Sequence, residues 1–186
     1  MRIVEAFHRQ GAVTAMTGDG VNDAPAIQAA DIGVGMGMTG TDVTKNVADM
    51  VLTDDNFATI VAAVEEGRRV YDNIRKSIQF LLSSNLAEVL TISVATLLGF
   101  TILEPVHLLW INLITHCFPA LALGMERGEP EIMRRRPRDP KDGIFAGGMG
   151  FDVAWQGLLV TAVTLLAYFS GLLLTCPVQM DWAALV

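Results

Sequence analysis

Three apolar stretches, residues 77–103, 106–125 and 151–175, decide most of what this chain can fold into. Each meets or exceeds the roughly 20 residues a helix needs to cross the hydrocarbon core of a bilayer. Three in succession, with no amphipathic partner to give a soluble shell, predict spanning helices rather than helices buried in a soluble domain. With 52% hydrophobic residues and a mean hydropathy of +0.43, the chain is too apolar for an ordinary water-soluble protein. The formal charge of −7 averages over two unlike halves: up to about Lys76 the sequence reads as soluble α/β.

Lys and Arg placement sets the expected orientation, since basic residues stay on the cytoplasmic side. Arg68, Arg69, Arg75 and Lys76 precede the first span; Arg127, Arg134, Arg135, Arg136, Arg138 and Lys141 fill the loop 126–150 between the second and third. GFTILEP, between spans one and two, has no basic residue, and none follows Lys141. The N-terminal half and the loop are therefore expected in the cytoplasm, and the tail 176–186 outside. Cys117 and Cys176 form no disulfide framework. Residues 1–30 show no apolar run behind a basic start, so no signal peptide is expected. The RRRPR cluster reads as a solvated loop touching anionic lipid rather than a nuclear signal.

In the soluble half, AVTAM, DIGVGM and VADMVLT read as strands, with APAIQAA and Asp42–Ala48 helical between them. Alternation of strand and helix predicts a parallel sheet. Ligands of such sheets gather at the carboxyl ends of the strands. MTGDGVNDAPA stands at such an end. Asp19 on a glycine-bounded turn suits Mg²⁺, a hard ion that takes oxygen ligands. Gly18 and Gly20 let a phosphate approach main-chain N–H groups, Asn22 offers a donor, and Asp23 is placed to order the turn. The same spacing equally fits an Asx-rich loop in which Asn22 or Asp23 caps the next helix, with Pro25 in its first turn. Gly35, Gly37 and Gly40 fit a dinucleotide fingerprint, but the second half of such a fold has no room before the membrane. DGVND fails the EF-hand pattern at its third position and lacks the bidentate Glu.

Polar residues inside the spans are expensive, roughly 2.5–3.5 kcal/mol for a charge at mid-bilayer, and so are functional candidates. Asn85 and Glu88 share a helix face in the first span; Asn112, Thr115 and His116 do so in the second. Both groups lie near mid-span, so a tight hairpin brings them to one depth. Pro119 frees main-chain carbonyls one turn later, the kind of oxygen that lines midplane cation sites. Thr115 alone is explained as well by helix-to-helix hydrogen bonding. From about Ala58 to about Gly99 the pattern predicts one helix of some 42 residues, about 63 Å at 1.5 Å per residue, long enough to act as a lever between the two halves. Gly67 within it reads as a flexible point or as a packing glycine.

MTGDGVNDAPA, DIGVGM, VADMVLTDDNF and IVAAVEEGRRVYDNI, followed by SSNLAEV, LLWINLIT and MRRRPRDPK, resemble a P-type cation-transporting ATPase of the calcium-pump (type II) group. The resemblance implies a partial haloacid-dehalogenase-like, Rossmann-like α/β phosphorylation domain over residues 1–57. A stalk over 58–76 and an α-helical bundle of about three spans would follow. In this family an aspartate elsewhere is phosphorylated by Mg-ATP. Asp19 would then help hold Mg²⁺, Asn22 and Asp23 would shape the phosphate site, and Thr17, Gly18 and Gly20 would face the cofactor. Asn85, Glu88, Asn112 and Thr115 map onto ligands of the transported cation, expected to be Ca²⁺.

Position 116 departs from the family, which carries an aspartate there; His116 offers nitrogen instead, and is expected to pair with Glu88. The family's Asp-Lys-Thr-Gly-Thr nucleophile segment, nucleotide-binding domain, Thr-Gly-Glu actuator loop and other membrane helices do not occur in this sequence. Those domains and the lipid bilayer are the implied partners, with no nucleic acid, and the plasma membrane is the expected location. Alone, the chain is not expected to hydrolyse ATP. The alternatives are a non-catalytic membrane protein that docks on a full pump, or a truncated product without activity of its own.

Overall fold

The computed structural model describes residues 1–139 and 141–175; the expected tail 176–186, with Cys176, lies outside the described residues. Contacts divide the chain into two units, Met1–Gly67 and Arg68 onward.

The first unit runs α1 (Arg2–Arg9), β1 (Ala15–Gly18), α2 (Ala24–Ala29), β2 (Ile32–Met36), α3 (Asp42–Val47), β3 (Met50–Leu52) and the start of α4 (Phe57–Leu97). The strands form one parallel sheet in the order β1-β2-β3, with Thr17 opposite Val34 and Met36 opposite Leu52. Short helices between strands make every connection a parallel crossover. Val34, Met36 and Leu52 are buried together, with Met50 and Ile60 packed against them. The first strand sits further along than the expected AVTAM: it begins at Ala15 and runs through Gly18. Thr14 instead lies before the strand, its N–H donating to Asp31 Oδ2 at 2.7 Å.

α4 is 41 residues long, and the unit boundary falls inside it. Its one glycine, Gly67, has nothing within 4 Å of where a Cβ would lie, so it does not serve close packing here. The helix stops at Gly99, whose φ of +79° suits glycine. There the N–H of Gly99 bonds the Thr96 carbonyl at 3.2 Å and that of Phe100 bonds Ala95 at 3.0 Å, a Schellman closure.

In the second unit a short link leads to α5 (Pro105–Trp110), with Pro105 in the first turn where its missing N–H is harmless. The helix continues as a π-helical segment, Ile111–His116, and then as α6 (Cys117–Gly124). α7 covers Met149–Thr175. Among the described residues three helices are long and apolar enough to cross a membrane, and their outward side chains, such as Leu97, Trp110, Leu113, Phe118 and Leu166, are exposed and apolar. The protein is a membrane protein in this sense.

Small side chains four residues apart, Ser83, Ala87, Thr91 and Ala95, are all buried along one stripe of α4. Such a stripe lets helices approach closely where lipid gives no hydrophobic drive. α7 lies along it: Thr161 donates to the Ala87 carbonyl at 3.3 Å, Ser83 Oγ donates to Gln156 Oε1 at 3.0 Å, and Gly157 lies so near Leu86 that a Cβ would come within 2.9 Å of its Cδ2.

The basic loop folds onto α4. Arg135 pairs with Asp72, Arg138 bonds the Tyr71 hydroxyl and stacks 4.2 Å over its ring, and Arg134 pairs with Glu131 at 2.8 Å. From α4, Arg68 donates to the carbonyls of Ile132 and Arg135, both at 2.9 Å, and buried Asn73 donates to that of Glu126 at 2.8 Å. The physical reason is local: α4 presents acid, hydroxyl and amide groups on consecutive positions to a loop rich in guanidinium groups and open carbonyls.

Candidate functional site

Asp19 follows the last residue of β1, at the carboxyl edge of the sheet. Its carbonyl accepts the Thr41 N–H at 3.0 Å and the Thr44 hydroxyl at 3.4 Å, tying the turn to the start of α3. Its side chain is exposed and makes no hydrogen bond among the described residues. Val21–Asp23 form a short 3₁₀ turn. Asp23 precedes α2 but does not cap it with its side chain; Oδ2 accepts the Gly20 N–H at 3.2 Å instead. A Cβ on Gly18 would meet that of Asp23 at 2.5 Å, so glycine is required there. Thr17 is half-buried in the strand and Asn22 is exposed.

The neighbouring loop has an anchor that sequence patterns did not single out. Asp55, at φ +49°, accepts the N–H groups of Gly37 (2.6 Å), Met38 (3.0 Å) and Thr39 (2.7 Å) and the Thr39 hydroxyl (2.8 Å). These donors, Met38 first, hold its carboxyl down to about 2 from an ordinary 3.8, against desolvation acting the other way. The only advance signal was its place in TDDN, where Asp residues favour turns.

In the second unit the spans bring Glu88, Thr115 and His116 to one cavity of about 340 Å³, lined on the α7 side by Val160 and Thr164, while the exposed Asn112 bonds to Glu88 and His116 from beside it. Asn112 Nδ2 donates to Glu88 Oε2 at 3.2 Å and to the Leu108 carbonyl at 3.0 Å. Its Oδ1 stands 3.2 Å from His116 Nδ1. Since the amide nitrogen is spent on two acceptors, Oδ1 accepts and His116 Nδ1 donates. His116 Nε2 then faces Glu88 Oε1 at 3.7 Å, with side chains only 10% and 16% exposed. Glu88 Oε1 is buried and has no hydrogen-bond partner.

Phe80 meets the His116 ring edge-on with centroids 6.0 Å apart. Asn85 is not brought to this cavity. It is exposed and lies one residue past Ser84, about 100° round the helix and off the stripe that runs through Ser84, Ala87, Glu88 and Thr91. The π-helical segment, which sequence periodicity did not foretell, carries Asn112, Thr115 and His116 together. Such segments mark functional positions often. Pro119, one turn on, supplies no N–H to the Thr115 carbonyl. Among the described residues no three of His, Cys, Asp or Glu come together as a metal site.

Residues 100–184 match the family described as Cation transporting ATPase, C-terminus. Over 90% of its length the chain is 52% identical to a calcium-transporting ATPase of Bacillus subtilis (strain 168), and over 92% it is 51% identical to calcium-transporting ATPase 1 of Bacillus cereus. A sodium/potassium exporting P-type ATPase of Schizosaccharomyces pombe is 44% identical over 90% of the chain. The chain spans 19%, 19% and 17% of these three relatives, about a fifth of their length.

Proposed function

We propose that this chain, a member of the P-type cation-transporting ATPases by those matches, serves an ATP-driven cation pump in two places. It supplies a phosphate-facing turn to a haloacid-dehalogenase-like domain and part of an intramembrane cation site. The reading rests above all on one observation: Glu88 of one spanning helix and His116 of the next line one cavity and are joined through Asn112. Charged and polar groups in such a place are retained for a ligand.

In the first unit the residues fit Mg²⁺. Asp19 offers an open carboxylate, the required glycine at 18 makes room for Asp23, and Asp23 holds the Gly20 turn in shape. Magnesium bound there neutralises phosphate charge during phosphoryl transfer. Asp19 is its ligand, Asn22 a donor to phosphate, and Thr17, Gly18 and Gly20 the cofactor-facing wall. Loop Gly37–Thr39, pinned by Asp55, keeps the adjacent strand ends in place. ATP, the phosphorylated aspartate, the actuator and nucleotide-binding domains and the remaining helices belong to the complete pump. α4 couples the two places, and the N-terminal half faces the cytoplasm across the plasma membrane.

A chimera tests this. The segment replaces its counterpart in the Bacillus subtilis calcium-transporting ATPase, and phosphoenzyme formation and ATP-driven divalent-cation uptake are measured in vesicles. Asp19→Asn abolishes phosphoenzyme formation, whereas Glu88→Gln leaves phosphorylation possible and removes cation dependence. A folded chimera indifferent to both substitutions defeats the reading.

A further inference from the structure

We propose that Asp55 is a positioning residue for the magnesium turn: through the loop 37–41 it fixes the peptide group that follows Asp19, and so the direction in which the Asp19 carboxylate leaves the main chain. This rests on reading Asp19 as the magnesium ligand; what it adds is the device that aims it.

Three observations carry it. First, the Asp19 carboxylate is exposed and makes no hydrogen bond among the described residues, so only the main chain sets its bearing. Second, the peptide group between Asp19 and Gly20 is gripped on both edges: the Gly20 N–H donates to Asp23 Oδ2 at 3.2 Å, and the Asp19 carbonyl accepts the Thr41 N–H at 3.0 Å. Asp23 belongs to the same turn, whereas Thr41 arrives from beyond β2 and must itself be held. Third, the loop that carries Thr41 is anchored by Asp55. That carboxylate accepts the N–H groups of Met38 at 3.0 Å and Thr39 at 2.7 Å and the Thr39 hydroxyl at 2.8 Å, and shares the Gly37 N–H with the Leu52 carbonyl. Among the described residues Asp55 alone has a positive φ without being glycine, and backbone held in such conformations clusters at functional sites.

The loop between the anchors has no slack. A Cβ on Gly37 would lie 2.4 Å from the Leu52 carbonyl oxygen and one on Gly40 2.0 Å from that of Met36, so the chain lies hard against the ends of β2 and β3. At its far end Thr41 is locked to α3: its hydroxyl accepts the Thr44 N–H at 3.4 Å, and the fully buried Thr44 hydroxyl donates to the Thr41 carbonyl at 2.7 Å. A carboxylate suits the near end because it offers acceptors only; the amide of Asn would turn a donor toward one of the N–H groups to be held. Without the Asp55 anchor the loop lifts, and the peptide group after Asp19 is held chiefly from the Asp23 side.

Two readouts separate aiming from mere stability. In the full chain in lipid nanodiscs, Asp55→Asn quickens amide exchange at Thr41, a residue that Asp55 does not touch, by about tenfold, with exchange in β1 unchanged. In the chimera the same substitution raises the Mg²⁺ concentration for half-maximal phosphoenzyme by about tenfold, while the level at saturating Mg²⁺ stays that of the parent. Thr39→Val removes only the hydroxyl bond and moves both readouts the same way by less, which keeps the test open should Asp55→Asn fail to fold. Thr44→Val together with Asp55→Asn gives less than the sum of the two single effects, because both act through Thr41. Unchanged Thr41 exchange overturns the inference, as does an unchanged Mg²⁺ requirement where Thr41 has loosened, or strict additivity of the pair. Phosphoenzyme formed by Asp19→Asn at the parent's Mg²⁺ requirement defeats the magnesium reading itself.

Discussion

Asp55 holds Gly37 by a 2.6 Å hydrogen bond from the main-chain N–H, and so fixes the loop that leaves β2. Its carboxyl is held at about 2, below the ordinary 3.8, so the sign of its contribution is that of an anion stabilised by folding. The stability it gives is complete above 3.8 and is lost as pH falls through about 2. Asn tolerates the positive φ at this position, so Asp55→Asn isolates the charge. At neutral pH the variant loses amide-exchange protection at Gly37–Thr39 relative to the parent, and the difference closes between 3.8 and about 2. A difference that does not change with pH would contradict the assignment.

Gly40 and Gly67 answer oppositely to the same added methyl. A Cβ at Gly40 would lie 2.0 Å from the Met36 carbonyl oxygen, main chain that cannot swing aside, whereas Gly67 has open space. Gly40→Ala is expected to destabilise the first unit by about 1–3 kcal/mol, as overpacking does. Gly67→Ala stabilises α4 by roughly 0.5–1 kcal/mol through helix propensity. Denaturant midpoints of the two variants, followed by a probe in each unit, check the pair.

The basic loop should depend on a buried amide more than on its visible ion pair. Asn73 is 3% exposed and donates to the carbonyls of Gly124 and Glu126. Asn73→Ala leaves them unpaired at about 1–3 kcal/mol. Asp72, paired with half-exposed Arg135, contributes about 0.2–1 kcal/mol. Limited proteolysis of residues 126–139 should accelerate far more in Asn73→Ala than in Asp72→Ala; the reverse order would show that charge, not the amide, secures the loop.

Ser83 and Gln156 join α4 to α7 by one hydrogen bond of 3.0 Å. A double-mutant cycle of Ser83→Ala and Gln156→Leu is expected to give a coupling of about 0.6 kcal/mol, and not above roughly 1.7. Zero coupling would leave the contact to the small-residue stripe, with Gly157 against Leu86, and to the Thr161–Ala87 hydrogen bond.

Features that rest on composition over many residues were legible in the sequence. The long helix was expected from about Ala58 to about Gly99 and runs Phe57–Leu97, because no proline interrupts it. Short elements were less so. β1 was placed at AVTAM, but Asp31 takes the N–H of Thr14 and shifts the strand toward Gly18, a choice made by a residue 17 positions away.

At the sites, the turn around Asp19 was visible as a motif, while Asp55 was not, since its role depends on chain returning from β3. In the spans, mid-bilayer depth put Glu88 and His116 at one level, and they face each other at 3.7 Å. The three-residue spacing also put Asn85 on the face of Glu88, but Asn85 is exposed and absent from the cavity wall. The arginines of RRRPR looked free because their partners, Asp72 and Tyr71, sit some 63–67 positions earlier.

The π-helical turn at Ile111–His116 holds an extra residue inside an otherwise regular rod. Tightened to ordinary α winding, it would rotate everything on one side of it by about 100° relative to the other. Asn112 and His116, four apart, stay neighbours in either winding, but the surplus sets the bearing of α5 against that of α6. A single-residue deletion between them would leave a sound spiral with its two halves dialled to different bearings.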